Sequence, residues 1–192
     1  IQATSSIGIP GASDSQRIKI NTGVWRYHPV QKVVEPVMYG MTNAWGFDLS
    51  AACSAFTYSL TAASQIVASG GVEHALVVGA DVMSSIIDYK DRSTCVLFGD
   101  GAGACVVSAT KDGSAGILDY EHEIDGSGGP ALCMPAGGSA RPPSHETVDQ
   151  RLHYVKQDGQ TVFKFAVRKT EEISRRLLDR NGLTPDDLTL FV

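Results

Sequence analysis

The chain has 192 residues, of which 43% are hydrophobic and 19% charged, with 20 glycines and a formal net charge of −5. That balance describes a globular α/β chain of one large or two small domains, long enough to bury a real core. It offers no global basic footprint for nucleic acid, no run of about 18 apolar residues to span a membrane, and no charged-then-apolar leader pattern.

Residues 1–41 are rich in Ser, Gly and Pro and sustain no helical period. Only short strands, at 17–20 and 32–34, are expected there. From Asn43 the pattern sharpens. A strand is expected at 44–49 and a helix at 54–69, where Phe56, Leu60, Ala63, Ile66 and Val67 recur at helical spacing before the Gly70-Gly71 stop. A strand at 75–79 and a loop at 88–92 follow. Next come two apolar runs, 94–98 and 102–108, joined by Gly99-Asp100-Gly101.

A strand at 116–123 is expected after a Lys111-Asp112-Gly113 turn. Residues 125–150 form a Gly/Pro-rich excursion of the length that compact domains reserve for functional loops. A second helix is expected over 159–180, buried along Val162, Ala166, Ile173 and Leu177 and ending at Asn181-Gly182. A last strand is expected at 188–192. Strands alternating with helices predict a layered α/β fold.

Cys53 stands out among the four cysteines. It follows an apolar strand-like run, has small neighbours, and sits where the first helix begins. A thiol there faces the unsatisfied N–H groups and positive dipole end of the helix, which favour the thiolate nucleophile. Cys95, Cys105 and Cys133 read instead as small core hydrophobes. No CxxC pair or metal-like Cys/His spacing is present, so neither zinc nor a disulfide scaffold is expected, and a reducing, cytoplasmic setting is the simpler account.

Three motifs stand in order: Asp48-Leu-Ser-Ala-Ala-Cys53, Asp88-Tyr-Lys-Asp-Arg92 and Phe98-Gly-Asp-Gly-Ala-Gly-Ala104. The glycine motif alone is weak. It joins two strand-like runs rather than opening a helix, so a dinucleotide loop is not implied, and a tight turn is the simpler reading. Together, at these spacings, the three closely resemble the β-ketoacyl-acyl carrier protein synthase III family of the thiolase superfamily. Asp125-Gly-Ser-Gly-Gly, Met134-Pro-Ala-Gly-Gly and the stretch from Gly159 to Val167 extend the likeness.

The resemblance implies a thiolase-like layered α/β fold. Residues 42–110 would be the core of its N-terminal half, 111–192 the start of its C-terminal half, and 1–41 an atypical segment that matches nothing in the family. It implies a homodimer without cofactor. The family condenses an acyl-CoA starter with malonyl-acyl carrier protein, releasing CO2, to initiate fatty-acid synthesis.

Residue by residue, Cys53 matches the acylated cysteine, whose own N–H would help form an oxyanion hole. Arg92 matches the arginine that lies against the CoA adenine, a task suited to a planar guanidinium. Gly159 and Phe163 match positions lining the pantetheine tunnel. Lys164 matches a basic residue that meets the acidic carrier protein. Read without the family, Arg92 and Lys164 are solvated surface charges, Gly159 a helix-start glycine and Phe163 a core aromatic.

Three departures accompany the likeness. Ala55 stands where the family has Gly. Residues 1–41 lack the family's opening segments, so the family's adenine-stacking Trp is not carried onto Trp25. The family's His-Gln-Ala-Asn motif is not present, and none of His28, His74, His122, His145 and His153 is assigned to catalysis. The chain is therefore expected to be a fragment without the decarboxylating half of the reaction. The alternatives are another thiolase-fold ketosynthase or acyltransferase of secondary metabolism, and a non-enzymatic fragment.

Overall fold

The computed structural model describes residues 2–9, 26–28, 33–35, 44–110 and 116–192. They divide into two compact units: residues 1–82 with 100–116, and residues 83–99 with 117–192.

The first unit is built on a four-stranded sheet. Its strands are β1 (Gln2–Ile9), β4 (Trp45–Leu49), β5 (His74–Asp81) and β6 (Gly101–Ser108), in the order β4-β1-β5-β6. β2 (Arg26–His28) and β3 (Val33–Glu35) form a separate antiparallel pair. β1 is antiparallel to both β4 and β5, so those two run parallel to each other with β1 between them. The helix α1 (Ala55–Ala68) makes the crossover that parallel strands require. Its last turn closes as a Schellman motif: Gly71 donates to the Ile66 carbonyl at 3.1 Å and Gly70, at φ 76°, to that of Val67 at 3.0 Å.

The core of this unit is Ala63, Val67, Val72, Ala75 and Val77, with Phe56, Ile66, Cys105 and Val107 packed against it. The fully buried stripe of α1 is Ala55, Ser59, Ala63 and Val67, a four-residue repeat of mostly small side chains. It is rotated from the expected Phe56–Leu60 face, because small residues let the helix approach the sheet while Phe56 and Leu60 lie at its margin, half-buried.

The second unit carries more polar burial. Ile87, Ala136 and Val155 are buried beside Asp88, Thr94 and Thr147. A 3-10 turn, Gly126–Ala131, leads into β7 (Leu132–Cys133), which pairs antiparallel with β8 (Lys156–Gln157). Between them lies the short helix α2 (His145–Asp149), opened by a Ser144/Thr147 capping box. The helix α3 (Gly159–Asn181) is capped by Asp158, which accepts from Thr161 N at 3.1 Å. It ends on Gly182 in the left-handed conformation, φ 65°.

Expectation and structure agree for β4, α1, β5, β6 and α3. They differ elsewhere, for physical reasons. β1 was not expected, and it gains its strand character from pairing on both edges. Residues 94–98 form turns instead of a strand, because Asp91 gathers the backbone of Thr94 and Cys95 through its carbonyl. Residues 116–123 pair in no ladder among the described residues; their acidic side chains bind α3 instead. Residues 188–192 likewise form no strand. The expected buried stripe of α3 is only half-buried, and Ala166 is exposed. The expected strand at 17–20 and the turn at 111–113 lie outside the described residues.

Candidate active site

Cys53 sits in a 3-10 turn, Ala52–Ser54, that joins the exit of β4 to the first turn of α1, and its residue is exposed. The turn is tight. Ser54 N donates to the Ala51 carbonyl at 3.2 Å, and Thr57 Oγ1 donates to the Ser54 carbonyl at 2.8 Å. Ala52, immediately before the thiol, adopts φ 50°, a left-handed conformation unfavourable for any residue with a Cβ. Ala55, where the family has Gly, is 2% exposed at the head of the buried stripe, so its methyl is absorbed by packing.

The sheet fixes where this turn sits. A Cβ at Gly79 would lie 3.0 Å from Phe56 Cδ2, so a side chain there would press on the first turn of α1. Two residues along the same strand face, Asp81 closes β5. Its Oδ1 is buried without a hydrogen-bond partner among the described residues, and burial pushes its carboxyl pKa up. Burial also raises Asp48 on β4. The other three cysteines are half-buried free thiols.

Arg92 belongs to the second unit, at the apex of the loop after Ile87, and is exposed. The residues flanking it are fixed. The Asp91 carboxylate accepts from Ser93 N at 3.1 Å, Ser93 Oγ at 2.5 Å and Thr94 Oγ1 at 2.9 Å. Those bonds, from Ser93 first and Thr94 second, lower its pKa. Asp88, 4% exposed, accepts from Arg151 Nε at 2.9 Å and from Arg151 Nη2, with Lys156 Nζ 3.5 Å away. The Arg151 guanidinium holds the Asp88 carboxyl far below the usual carboxylate range.

Gly159, Phe163 and Lys164 share the first turns of α3. Gly159 faces open space, and Phe163 is 68% exposed, so it serves no core among the described residues. The basic side chains of α3 beyond Lys164 are neutralised. Arg176 binds Glu121 and Glu123, each at 2.6 Å, Lys169 binds Glu172 at 2.7 Å, and Arg175 binds Glu171 at 2.8 Å. Lys164 makes no ion pair among the described residues. His74 and His153 hydrogen-bond to Ser108 and Thr147, at 2.8 and 2.9 Å.

Sequence reasoning missed two features. The left-handed Ala52 carries no sequence signal, since Ala rarely adopts that conformation. Asp88 lay inside a quoted motif, but its partner Arg151 is 63 residues away, and nothing in the spacing pairs them.

A family model for 3-oxoacyl-(acyl-carrier-protein (ACP)) synthase III matches residues 47–126, which include Cys53 and Arg92. A β-ketoacyl-(acyl-carrier-protein) synthase III of Solibacter usitatus is 57% identical over 80% of this chain and 47% of its own length. The Koribacter versatilis enzyme of the same name is 53% identical over 80% of this chain and 46% of its own. Over these spans the chain is similar to the 3-oxoacyl-(acyl-carrier-protein) synthase III family. Its fold is thiolase-like: the crystal structure of the synthase III from Aquifex aeolicus VF5 matches with a TM-score of 0.64 at 39% identity, covering 75% of this chain and 42% of that one. The chain thus spans about half the length of its synthase III relatives. Among the described residues, no helix is long and apolar enough to cross a membrane.

Proposed function

We propose that this chain supplies the acyl-accepting part of a β-ketoacyl-acyl carrier protein synthase III that initiates fatty-acid synthesis. The Cys53 thiolate attacks the thioester carbon of an acyl-CoA, the tetrahedral adduct collapses, and CoA leaves as its thiolate and takes up a proton. The acyl group is then held as a thioester on Cys53. In the complete reaction the carbanion formed when malonyl-acyl carrier protein loses CO2 attacks that thioester and releases the cysteine.

For the same thioester, Arg92 would stack on the adenine and meet the phosphates of CoA, and Gly159 and Phe163 would flank the pantetheine arm. Lys164, without an acidic partner on its own helix, would meet the acidic carrier protein. Residues 42–110 and 111–192 would belong to the N- and C-terminal halves of the family fold, acting as a cytoplasmic homodimer with no cofactor beyond the CoA thioester substrate.

The observation that carries this reading is the exposed Cys53 in a tight turn at the head of α1, inside the stretch the family model matches. Incubation with acetyl-CoA followed by peptide mass spectrometry tests it. An acetyl group on the peptide containing Cys53, lost in Cys53→Ser, is expected. Unmodified Cys53 after prolonged incubation would overturn the assignment.

A further inference from the structure

Asp88 is a charged side chain at 4% exposure, and an unpaired charge so deep would be expensive. Its carboxylate is fully engaged. Arg151 grips both oxygens as a fork, with Nε 2.9 Å from Oδ2, while Lys90 N donates to Oδ1 at 3.0 Å and Lys156 Nζ lies 3.5 Å from Oδ2. A guanidinium suits this grip because its donors match a carboxylate in the plane. Arg151 keeps a left-handed backbone, φ 56°, and lies 4.8 Å over the ring of Tyr154. Val155 N adds a bond to the Ile86 carbonyl at 2.9 Å.

Two stretches meet at this joint, both within the second unit. From Asp88 the chain turns at once into the Arg92 loop: the Asp88 carbonyl accepts from Asp91 N at 2.9 Å, and Asp91 in turn fixes Ser93 and the buried Thr94. On the other side, Lys156 belongs to β8, which runs through Asp158, the cap of α3, to Gly159. Arg92 itself is engaged in no hydrogen bond or ion pair among the described residues. Its backbone is therefore set and its guanidinium uncommitted.

We propose that Asp88 is a positioning residue for CoA: clamped by Arg151 and Lys156 onto the strand that feeds α3, it sets the Arg92 loop so that the Arg92 guanidinium meets the nucleotide end of a CoA thioester. The inference rests on the CoA role proposed for Arg92. It adds that this role is transmitted through a salt-bridged joint that touches no ligand. α3 keeps its own caps at Asp158 and Gly182, so loosening the joint affects the nucleotide end and spares the pantetheine end.

Equilibrium binding of acetyl-CoA and of acetyl-pantetheine, which lacks the nucleotide, to the 192-residue chain tests this, with melting curves recorded for every variant. Asp88→Asn and Arg92→Ala are each expected to weaken acetyl-CoA about tenfold, to leave acetyl-pantetheine within about twofold, and to give a double variant no weaker than either single one. Arg151→Lys, which keeps the charge and loses the fork, should show a smaller loss with the same selectivity, and it carries the test if Asp88→Asn fails to fold. Equal losses for both thioesters, or a double variant that is additive, would overturn the inference, since the joint would then be a general structural support. Normal acetyl-CoA binding by Asp88→Asn beside a weakened Arg92→Ala would overturn it while sparing the proposed function. A wild-type chain that binds neither thioester would remove both.

Discussion

The ring of Phe56 rests on the bare backbone of Gly79, so that a Cβ there would come within 3.0 Å of Phe56 Cδ2. Gly79→Ala should therefore lower stability by about 1–3 kcal/mol, the usual effect of overpacking, because the Phe56 ring must shift to admit the methyl. Gly103, its register partner on β6, faces open space, and Gly103→Ala should stay within about 0.5 kcal/mol. Urea unfolding of the two variants side by side makes the comparison. Equal effects would mean that α1 is not seated on β5 at this point.

Ala52 carries its strain next to the candidate nucleophile. Glycine has no Cβ to clash at φ 50°, so Ala52→Gly should raise stability by about 1 kcal/mol, while Ala52→Val should lower it. Equilibrium unfolding reads both. A glycine variant less stable than the parent would show that the left-handed turn is not part of the native structure.

Asp81 makes the opposite pH statement from most carboxylates. Burial raises its pKa above the ordinary 3.8, so the native state binds its proton more readily than the unfolded chain does. Its contribution is favourable below pH 3.8 and is lost as pH rises through the raised value. Asp81→Asn should raise the melting temperature at pH 7, with the gain shrinking on acidification and gone below pH 3.8. A gain that did not change with pH would locate its origin elsewhere than in the charge.

Asp119 behaves conventionally. Hydrogen bonds from Arg180 first and Asn181 second hold its pKa down to about 2. Its contribution is complete above the ordinary 3.8 and is lost as pH falls through about 2. Arg180→Ala should flatten the loss of helical circular dichroism across that window. High salt should mimic the substitution, because Arg180 is half exposed. An unchanged acid profile in Arg180→Ala would show that this pair does not tie α3 to residues 117–123.

Much of the fold was legible because its signal is local. Phe56 through Val67 recur at helical spacing, Gly70-Gly71 and Asn181-Gly182 mark helix ends, and β5 and β6 are apolar enough to be recognised alone. What was not legible depends on partners distant in sequence. Residues 2–9 read Gln-Ala-Thr-Ser-Ser-Ile-Gly-Ile, with no alternation of apolar and polar side chains, and form a strand because β4 and β5 offer it two edges. Residues 116–123 have strand-like composition, yet Asp119, Glu121 and Glu123 find arginines and a lysine on α3 and run beside it without a ladder.

The candidate site divides in the same way. The place of Cys53 at a strand exit and helix start could be read from its neighbours. The conformation of Ala52, the burial of Asp88 and its grip by Arg151 could not, because each is decided by packing. The basic side chains of α3 show the limit of counting charges: six Lys and Arg residues are visible on the helix, and five of them are paired with acidic side chains.

The central position of β1 has a consequence for the order of assembly. Its residues precede β4 and β5 in the chain, yet Gln2 pairs across from Asp81, so the sheet closes only after the whole crossover has been made. Pairing so distant in sequence is slow because the intervening loop must be ordered before any bond is gained. Until then β4 and β5, on either side of the empty slot, have no ladder between them. The turn that carries Cys53 joins two elements whose common neighbour in the sheet completes its pairing only after both are made, so a nascent chain would present its thiol before it has a frame to hold it.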